Sequence, residues 1–237
     1  MFCKTRAIVL GSVRYSDCSL VMHAYTEECG RMAYVVNGIK SRRCAVRPAL
    51  LTPLSIVELE AEHNPKRDIQ RIKESKIIFS SCGISADPTR NSIAHLLAEL
   101  LCHALRETGK NTALFDFLTQ SITHLENIGA GLANFHLVFM LKLSAFLGFY
   151  PNYENKASNT CFDQLNGCFL YETPMHRHYL PVDESNLLKE LLTNGYQTPC
   201  TRAQRNKMLE TLIDYYRLHL THFGEIRSAA VLRELFV

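Results

Sequence analysis

Apolar and polar residues alternate through the first third of the chain. In Lys4 to Arg14, Ala7, Val9 and Val13 fall on one face; in Ser19 to Thr26, Leu20, Met22 and Ala24 alternate with Val21, His23 and Tyr25. A third run of this kind covers Arg31 to Asn37. Asp17-Cys18 and Glu27-Glu28-Cys29-Gly30 separate the runs at hairpin spacing. Two further strand-like runs, Thr52–Glu62 and Ile69–Phe79, are parted by the turn His63-Asn64-Pro65. Five short strands in succession predict a small barrel of the OB type.

The period changes after Ser80-Ser81-Cys82-Gly83. Asp87 is placed to cap a helix, and Pro88 fits its first turn. Ile93, Leu96, Leu97, Leu100, Leu101 and Leu105 then recur at helical spacing, and Gly109 is expected to close that helix. A second helix is predicted from Thr112, with Leu114, Phe117, Leu118, Ile122 and Leu125 on one face. The third, Leu132 to Leu147, is apolar nearly all round and reads as the centre of a bundle. A membrane role is disfavoured, because His136 and Lys142 interrupt it and it is short for a span. Pro151 to Glu184 reads as a polar excursion off the bundle, and helical segments at Asn206–Leu220 and Glu225–Phe236 finish the chain. The predicted fold class is α+β in two domains: an OB-fold β-barrel over residues 1–80 and an α-helical domain over residues 81–237.

A hydrophobic content of 47% in 237 residues supports a folded core in each part. Charge is what divides them. Residues 1–80 hold 13 Lys/Arg against 8 Asp/Glu, a balance of +5, whereas the remainder is at −2. Such asymmetry points to a polyanion-facing module at the N-terminal end. Its cations form three groups: Lys4, Arg6 and Arg14 on the first strand; Lys40, Arg42, Arg43 and Arg47 in the glycine-led segment that begins at Gly38; and Lys66, Arg67, Arg71, Lys73 and Lys76. Lysine and arginine on a loop of a small β-structure displace condensed counterions from a phosphate backbone. The alternative for the loop is a solvated charge run. Aromatic residues able to stack on bases are few here (Tyr15, Tyr25, Tyr34 and Phe79), which leaves the mode of binding open.

Candidate chemistry is sparse. No phosphate-cradling G-x-x-x-x-G-K-[ST] segment, H-E-x-x-H pair or G-x-S-x-G elbow occurs, and the carboxylates are spread over helix faces. His95, His103, His124 and His136 lack the i, i+4 pairing of a helical metal site, so an enzyme is the weaker reading. Cys161, Cys168, His176 and His178 supply four N/S donors within one segment, yet Cys161-x₆-Cys168 lacks the C-x₂₋₄-C geometry of a zinc knuckle. The nine cysteines are scattered, and Cys82 and Cys102 read as small core hydrophobes in a reducing compartment. With no apolar run of membrane-spanning length and no signal-peptide core after Met1, the expected address is cytosolic.

Several segments together resemble the RecO family of bacterial recombination mediators. Lys4 to Arg14, the Leu20–Thr26 strand with its closing threonine, and Gly30 to Lys40 look like that family's N-terminal OB domain. Leu141-Lys142-Leu143-Ser144-Ala145-Phe146-Leu147-Gly148-Phe149-Tyr150-Pro151 resembles its helix leading to a Leu-Gly-x-x-Pro junction. The ending, Tyr215 to Leu220 with Phe223 to Ser228 and Val231 to Phe236, is similar to the Bacteroidetes branch. The resemblance implies a protein that binds single- and double-stranded DNA and anneals complementary strands. With RecR it would assist RecA loading onto strands covered by single-strand-binding protein, whose acidic C-terminal tail docks on the helical domain. Many members carry a four-cysteine zinc module after the junction. Here Asp163 and Gln164 stand where the partner of the first pair would sit, and Met175, His176 and His178 replace the second, so no metal or other cofactor is expected, and the excursion is expected to persist as a metal-free loop or small hairpin around Gly167.

The sequence reading is thus a non-enzymatic, cytoplasmic, nucleoid-associated DNA-binding mediator, with phosphate contacts from Lys4, Arg6, Arg14, Lys40, Arg42, Arg43 and Arg47. Two alternatives stand beside it: a helical scaffold whose barrel binds protein, and an RNA-binding OB protein. Salt dependence of DNA affinity separates the first alternative from the mediator, and competition by RNA separates the second.

Overall fold

The structure is a computed structural model that describes residues 2–37, 51–64, 66–79, 81–153 and 159–235. Five strands, β1 (Phe2–Ser16), β2 (Ser19–Thr26), β3 (Gly30–Asn37), β4 (Ile56–Glu62) and β5 (Ile69–Phe79), form a closed barrel in the order β1-β2-β3-β5-β4. The length of β1 makes closure possible. Its first half pairs with β4, from Phe2↔Glu62 to Ile8↔Ile56, and its second half with β2, out to Ser16↔Ser19. The last seam is parallel, with Ala33, Tyr34 and Val35 of β3 opposite Ile69, Gln70 and Arg71 of β5. Inside are Ala7, Val9, Leu20, Met22, Ala24, Tyr34, Val36, Val57, Leu59 and Ala61, all buried. Closure leaves no bare edge, and alternation supplies an apolar interior.

One expectation needs correcting. Val13 does not share the face of Ala7 and Val9. Between Val9↔Ala24 and Gly11↔His23 the register shifts by one residue, a β-bulge at Leu10. Because the side-chain period of a strand is two, the extra residue turns the side chains from Gly11 to Arg14 to the opposite face, up to a second register shift between Arg14 and Ser16. Val13 therefore pairs with the outward Val21 and is 61% exposed, and Tyr15, the extra residue of the second shift, is 69% exposed.

The residues after the barrel group with it: Met1–Asn127 and Ile128–Val237 are the two compact units of the chain. The first unit adds α1 (Cys82–Ala86), α2 (Pro88–Ala104) and α3 (Thr112–Asn127). Asp87 caps α2 by accepting from the Thr89 and Arg90 amides, and Glu126 accepts from the Gly83 and Ile84 amides at the start of α1. Gly109 does not close α2, which ends at Ala104 with Leu105 as its cap. The chain instead runs on to bridge the β2–β3 turn: Arg31 N donates to Glu107 O at 3.1 Å and Gly109 N to Cys29 O at 3.0 Å. That turn is fastened from within by buried Thr26, which accepts from Cys29 N and donates to Gly30 O. Cys82, expected in the core, is exposed.

In the second unit, α4 (Phe135–Phe146) packs with α5 (Val182–Asn194) and α6 (Arg202–His219), and α7 (Ser228–Leu235) follows. The hydroxyl of fully buried Tyr216 on α6 donates to Met140 O of α4 at 2.7 Å. Within the expected polar excursion the small hairpin around Gly167 is present as β6 (Cys161–Asp163) and β7 (Cys168–Leu170), and β8 (Tyr179–Leu180) joins it in a three-stranded sheet of order β7-β6-β8. Phe162 and Phe169 are buried, and Phe162 meets Tyr215 of α6 edge-on at 5.5 Å. Aromatic burial of this size outweighs the polar character of the surrounding segment.

Candidate nucleic-acid interface

The barrel exterior divides into two faces of different chemistry. On the β1–β4–β5 side, cations and carboxylates alternate across the strands: Lys4 is opposite Glu60 and Arg6 opposite Glu58, which is in turn opposite Lys76. Lys4 Nζ lies 3.0 Å from Glu58, and Lys73 Nζ 2.8 Å from Glu60. Arg6 makes a fork to Glu27, Nε at 2.8 Å and a terminal nitrogen at 2.6 Å, with its guanidinium 5.1 Å over the Phe115 ring. The hydrogen bonds from Arg6 hold the Glu27 carboxyl below its usual range and raise the Arg6 pKa in return. Bidentate pairing of this kind fixes geometry as well as charge. Lys4 and Arg6 are thus in self-compensated surroundings.

The β2–β3–β5 side differs. Residues that pair across strands share a face, so Val13, Val21, Val35 and Arg71 lie in one outward row. Arg14 is at the end of β1, its guanidinium 3.5 Å from exposed Asp17. A cleft of about 360 Å³ is lined by Tyr15, Val21, Val35, Ile69, Arg67 and Arg71, with Asn37 at its rim. Among the described residues neither Arg67 nor Arg71 has a carboxylate within ion-pair range. The turn that carries Arg67 is braced by buried Gln70, whose amide donates to Arg67 O at 2.6 Å and Asn64 O at 3.0 Å and accepts from Asn64 N at 2.8 Å. Lys40, Arg42, Arg43 and Arg47, expected to be the main phosphate contacts, lie outside the described residues. Sequence reading grouped Arg67 and Arg71 with the cations and Tyr15 with the stacking aromatics. It did not bring them to one place, since that depends on the bulge and the parallel seam.

In the second unit a cleft of about 280 Å³ is lined by Val138, Leu141, Lys142, Tyr150, Leu191 and Tyr196 among others. Exposed Lys142 holds its ammonium 5.0 Å from the Tyr196 ring, and burial pushes the Tyr196 phenol up. Other cations of the second unit are engaged: Arg202 donates to Arg233 O, Arg205 to Cys200 O, and Arg217 pairs with Asp214 at 2.8 Å. Lys207 shares a shallow cleft with Asp183 and Glu184. His136 is buried, and desolvation lowers its pKa to about 3, which keeps its imidazole neutral at physiological pH.

The hairpin of β6 and β7 turns at Gly167, whose φ of +63° suits glycine. Cys161 and Asp163 stand on one face of it with their cross-strand partners Leu170 and Cys168. The turn is organised by buried Asp163, which accepts from Leu165 N at 2.9 Å, Asn166 N at 3.2 Å and Asn166 Nδ2 at 2.7 Å, and which faces His176 at 3.4 Å. Burial alone would raise the Asp163 pKa. The hydrogen bonds from Asn166 and Leu165, with His176 nearby, hold it below the usual value. Among the described residues no three His, Cys, Asp or Glu side chains are grouped so as to hold a metal ion. Nor is any helix among them long and apolar enough to cross a membrane.

Comparison with known proteins adds to this geometry. Residues 1–81 match the family model described as Recombination protein O N terminal, and residues 85–227 match Recombination protein O C terminal. The chain is similar to the DNA repair protein RecO of Phocaeicola vulgatus, 40% identical over 240 residues and the whole of both chains. It is also similar to that of Bacteroides fragilis, 39% identical over 241 residues with both chains covered in full. The corresponding protein of Flavobacterium psychrophilum is 34% identical over 239 residues, 98% of each chain.

Proposed function

The chain belongs to the RecO family of DNA repair proteins, and we propose that it acts there as a non-enzymatic mediator. In this reading it binds DNA without sequence preference, anneals complementary strands and, with RecR, assists RecA loading onto DNA covered by single-strand-binding protein. It would work in the cytoplasm at the nucleoid. The observation that carries the reading is a closed five-stranded barrel within the +5 portion of a chain whose remainder is at −2. Cations there supply affinity through counterion release, which is indifferent to base sequence and suits a protein that must act at any gap. Strands whose phosphates are neutralised on one surface also repel each other less, which favours their pairing.

Lys40, Arg42, Arg43 and Arg47, with Arg14, are the proposed phosphate contacts. Lys4 and Arg6, held at 3.0 Å and 2.6 Å by part-buried carboxylates, would contribute less than Arg14, whose partner Asp17 is 3.5 Å away and almost fully exposed. Residues 1–80 are proposed as the DNA-binding part and residues 81–237 as the part that docks the acidic tail of single-strand-binding protein. The Val138–Leu141–Tyr196 cleft with Lys142 fits that tail: an apolar recess takes a terminal aromatic ring, and an adjacent ammonium takes its carboxylate.

Replacing Lys40, Arg42 and Arg43 together by Ala tests the DNA surface. Affinity for unrelated sequences is expected to fall alike, with the salt slope on single strands lowered by roughly 0.7 per lost contact. An unchanged slope would make the segment a solvated charge run. For the tail, a phenylalanine-ended acidic peptide is expected to bind the full chain and to lose binding in Lys142→Glu. Pull-down with RecR tests the partnership.

A further inference from the structure

We propose that the outer cleft of the barrel is a base-stacking subsite for single-stranded DNA, an inference that rests on the DNA-binding reading and adds residues absent from the expected contact set. One unstacked base would lie on the floor of Val21, Val35 and Ile69 against the Tyr15 ring. Arg67 and Arg71 would meet the phosphates on either side.

Three observations converge on this occupant. The first is misplaced apolar surface. Outward positions of a small barrel are ordinarily polar, yet Val13, Val21, Val35 and Ile69 form a continuous apolar strip over four strands, and Tyr15 stands exposed beside it. Val21 is only 8% exposed although it points away from the barrel core, so the strip is recessed rather than flat. A recessed apolar floor with an exposed phenol at its side offers a planar ring a sandwich position.

The second is charge. Lys4, Arg6, Arg14 and Lys73 each face a carboxylate, whereas Arg67 and Arg71 at this cleft have none in ion-pair range among the described residues. Arg71 has Glu62 opposite it on β4 but outside ion-pair range, so both guanidinium groups are open to an anion. An apolar recess flanked by two such groups matches a ligand that alternates flat apolar rings with anions. A polynucleotide strand has that chemistry. A duplex does not present it, because its bases are stacked inside and its phosphates alone face outward.

The third is rigidity. Gln70 ties the Arg67 turn to the barrel through three hydrogen bonds, and Arg71 stands on the parallel β3–β5 seam opposite Val35. The arginines are therefore held on fixed backbone, which limits the ordering cost of binding. At about 360 Å³ the cleft is at the small end of ligand sites, of a size for one base rather than a folded partner.

The test uses the full chain and two probes, a short oligo(dT) and a duplex of equal length. Tyr15→Ala is expected to weaken oligo(dT) binding roughly tenfold or more while leaving duplex affinity within about twofold, and Tyr15→Phe is expected to restore it. Arg67→Ala with Arg71→Ala should lower the salt slope by roughly 0.7 per contact, which Tyr15→Ala should not do. Oligo(dT) carrying 5-iodouracil should photocrosslink to Tyr15. Equal loss on both probes, or none on either, overturns the subsite, as does a crosslink mapping elsewhere. A wild-type chain that binds neither probe overturns the DNA-binding reading itself. Tyr15 is exposed, so its removal leaves the barrel core intact.

Discussion

Gly30→Ala is expected to be among the most damaging single-methyl additions in the first unit. Gly30 begins β3 with φ +64°, a left-handed conformation that costs an L-residue about 1–2 kcal/mol. A Cβ there would lie 2.7 Å from Glu107 O, 2.7 Å from Gly109 O and 2.9 Å from Gly109 N. These are backbone atoms, so no side-chain rotation relieves the overlap and the 107–109 segment must move. That segment holds the Arg31 N→Glu107 O and Gly109 N→Cys29 O hydrogen bonds, each contributing a net of about 1 kcal/mol. Strain and lost bonds together give a destabilisation of about 3–4 kcal/mol. Urea unfolding followed by circular dichroism measures it as a fall in midpoint at constant slope. Gly11→Ala is the control: no atom lies within 4 Å of its Cβ position, and its stability is expected to be unchanged or slightly raised. A loss below about 1 kcal/mol for Gly30→Ala would refute the reasoning, since left-handed strain alone accounts for that much.

Three further outcomes are expected. Glu27→Gln should destabilise by about 1 kcal/mol at neutral pH and flatten the acid limb of the stability profile. The folded Glu27 pKa is depressed by its hydrogen bonds from Arg6, so its contribution is present above the ordinary carboxylate value and lost as pH falls through the folded value. Equal acid sensitivity in the variant would refute this. Tyr216→Phe should cost about 1–2 kcal/mol by removing the buried bond to Met140 O, read from the thermal midpoint; an unchanged midpoint counts against that bond. Purified protein is expected to carry no stoichiometric zinc, and a chelator to leave the melting temperature where it was. About one zinc per chain, lost in the Cys161→Ser and Cys168→Ser double variant, would refute that.

What could be read from the sequence was whatever follows from local periodicity. The alternation of Leu20, Met22 and Ala24 with Val21, His23 and Tyr25 placed β2 and separated its two faces correctly, and the Asp87-Pro88 pair marked the start of α2. What escaped depended on partners distant in sequence. Val13 falls on the face of Ala7 and Val9 in the sequence pattern because the bulge at Leu10 has no signature in an otherwise regular apolar run. The hairpin of β6 and β7 was signalled by Gly167, but β8 has two residues, too short for a period to register, and Phe162 is buried in part against Tyr215 far along the chain. Helix α5 has no counterpart in the sequence reading although Leu187, Leu188 and Leu191 lie on its buried side: the expected excursion ends at Glu184, three residues into the helix, and no element was drawn between there and Asn206. For α6 a signal existed: Thr201 and Gln204 form a reciprocal capping box that sets its start at Arg202, four residues before the expected one. The cleft of Tyr15, Arg67 and Arg71 was out of reach altogether, since its residues come together only through a bulge and a parallel register.

The double pairing of β1 also bears on how the chain emerges during synthesis. Its C-terminal half can form a hairpin with β2 as soon as Thr26 is available, and β3 can add at once. Its N-terminal half must wait for β4, whose Glu62 is the partner of Phe2, and the β3–β5 seam must wait until Arg71 has followed. Over that interval the nascent chain is a three-stranded meander with both outer edges bare, of the kind that recruits other strands. Lys4 and Arg6 are on one of those edges, and charged side chains on an unpaired edge discourage intermolecular addition. Lys4, which is neutralised by Glu58 only once β4 has arrived, would thus serve earlier, as a guard of an unfinished sheet.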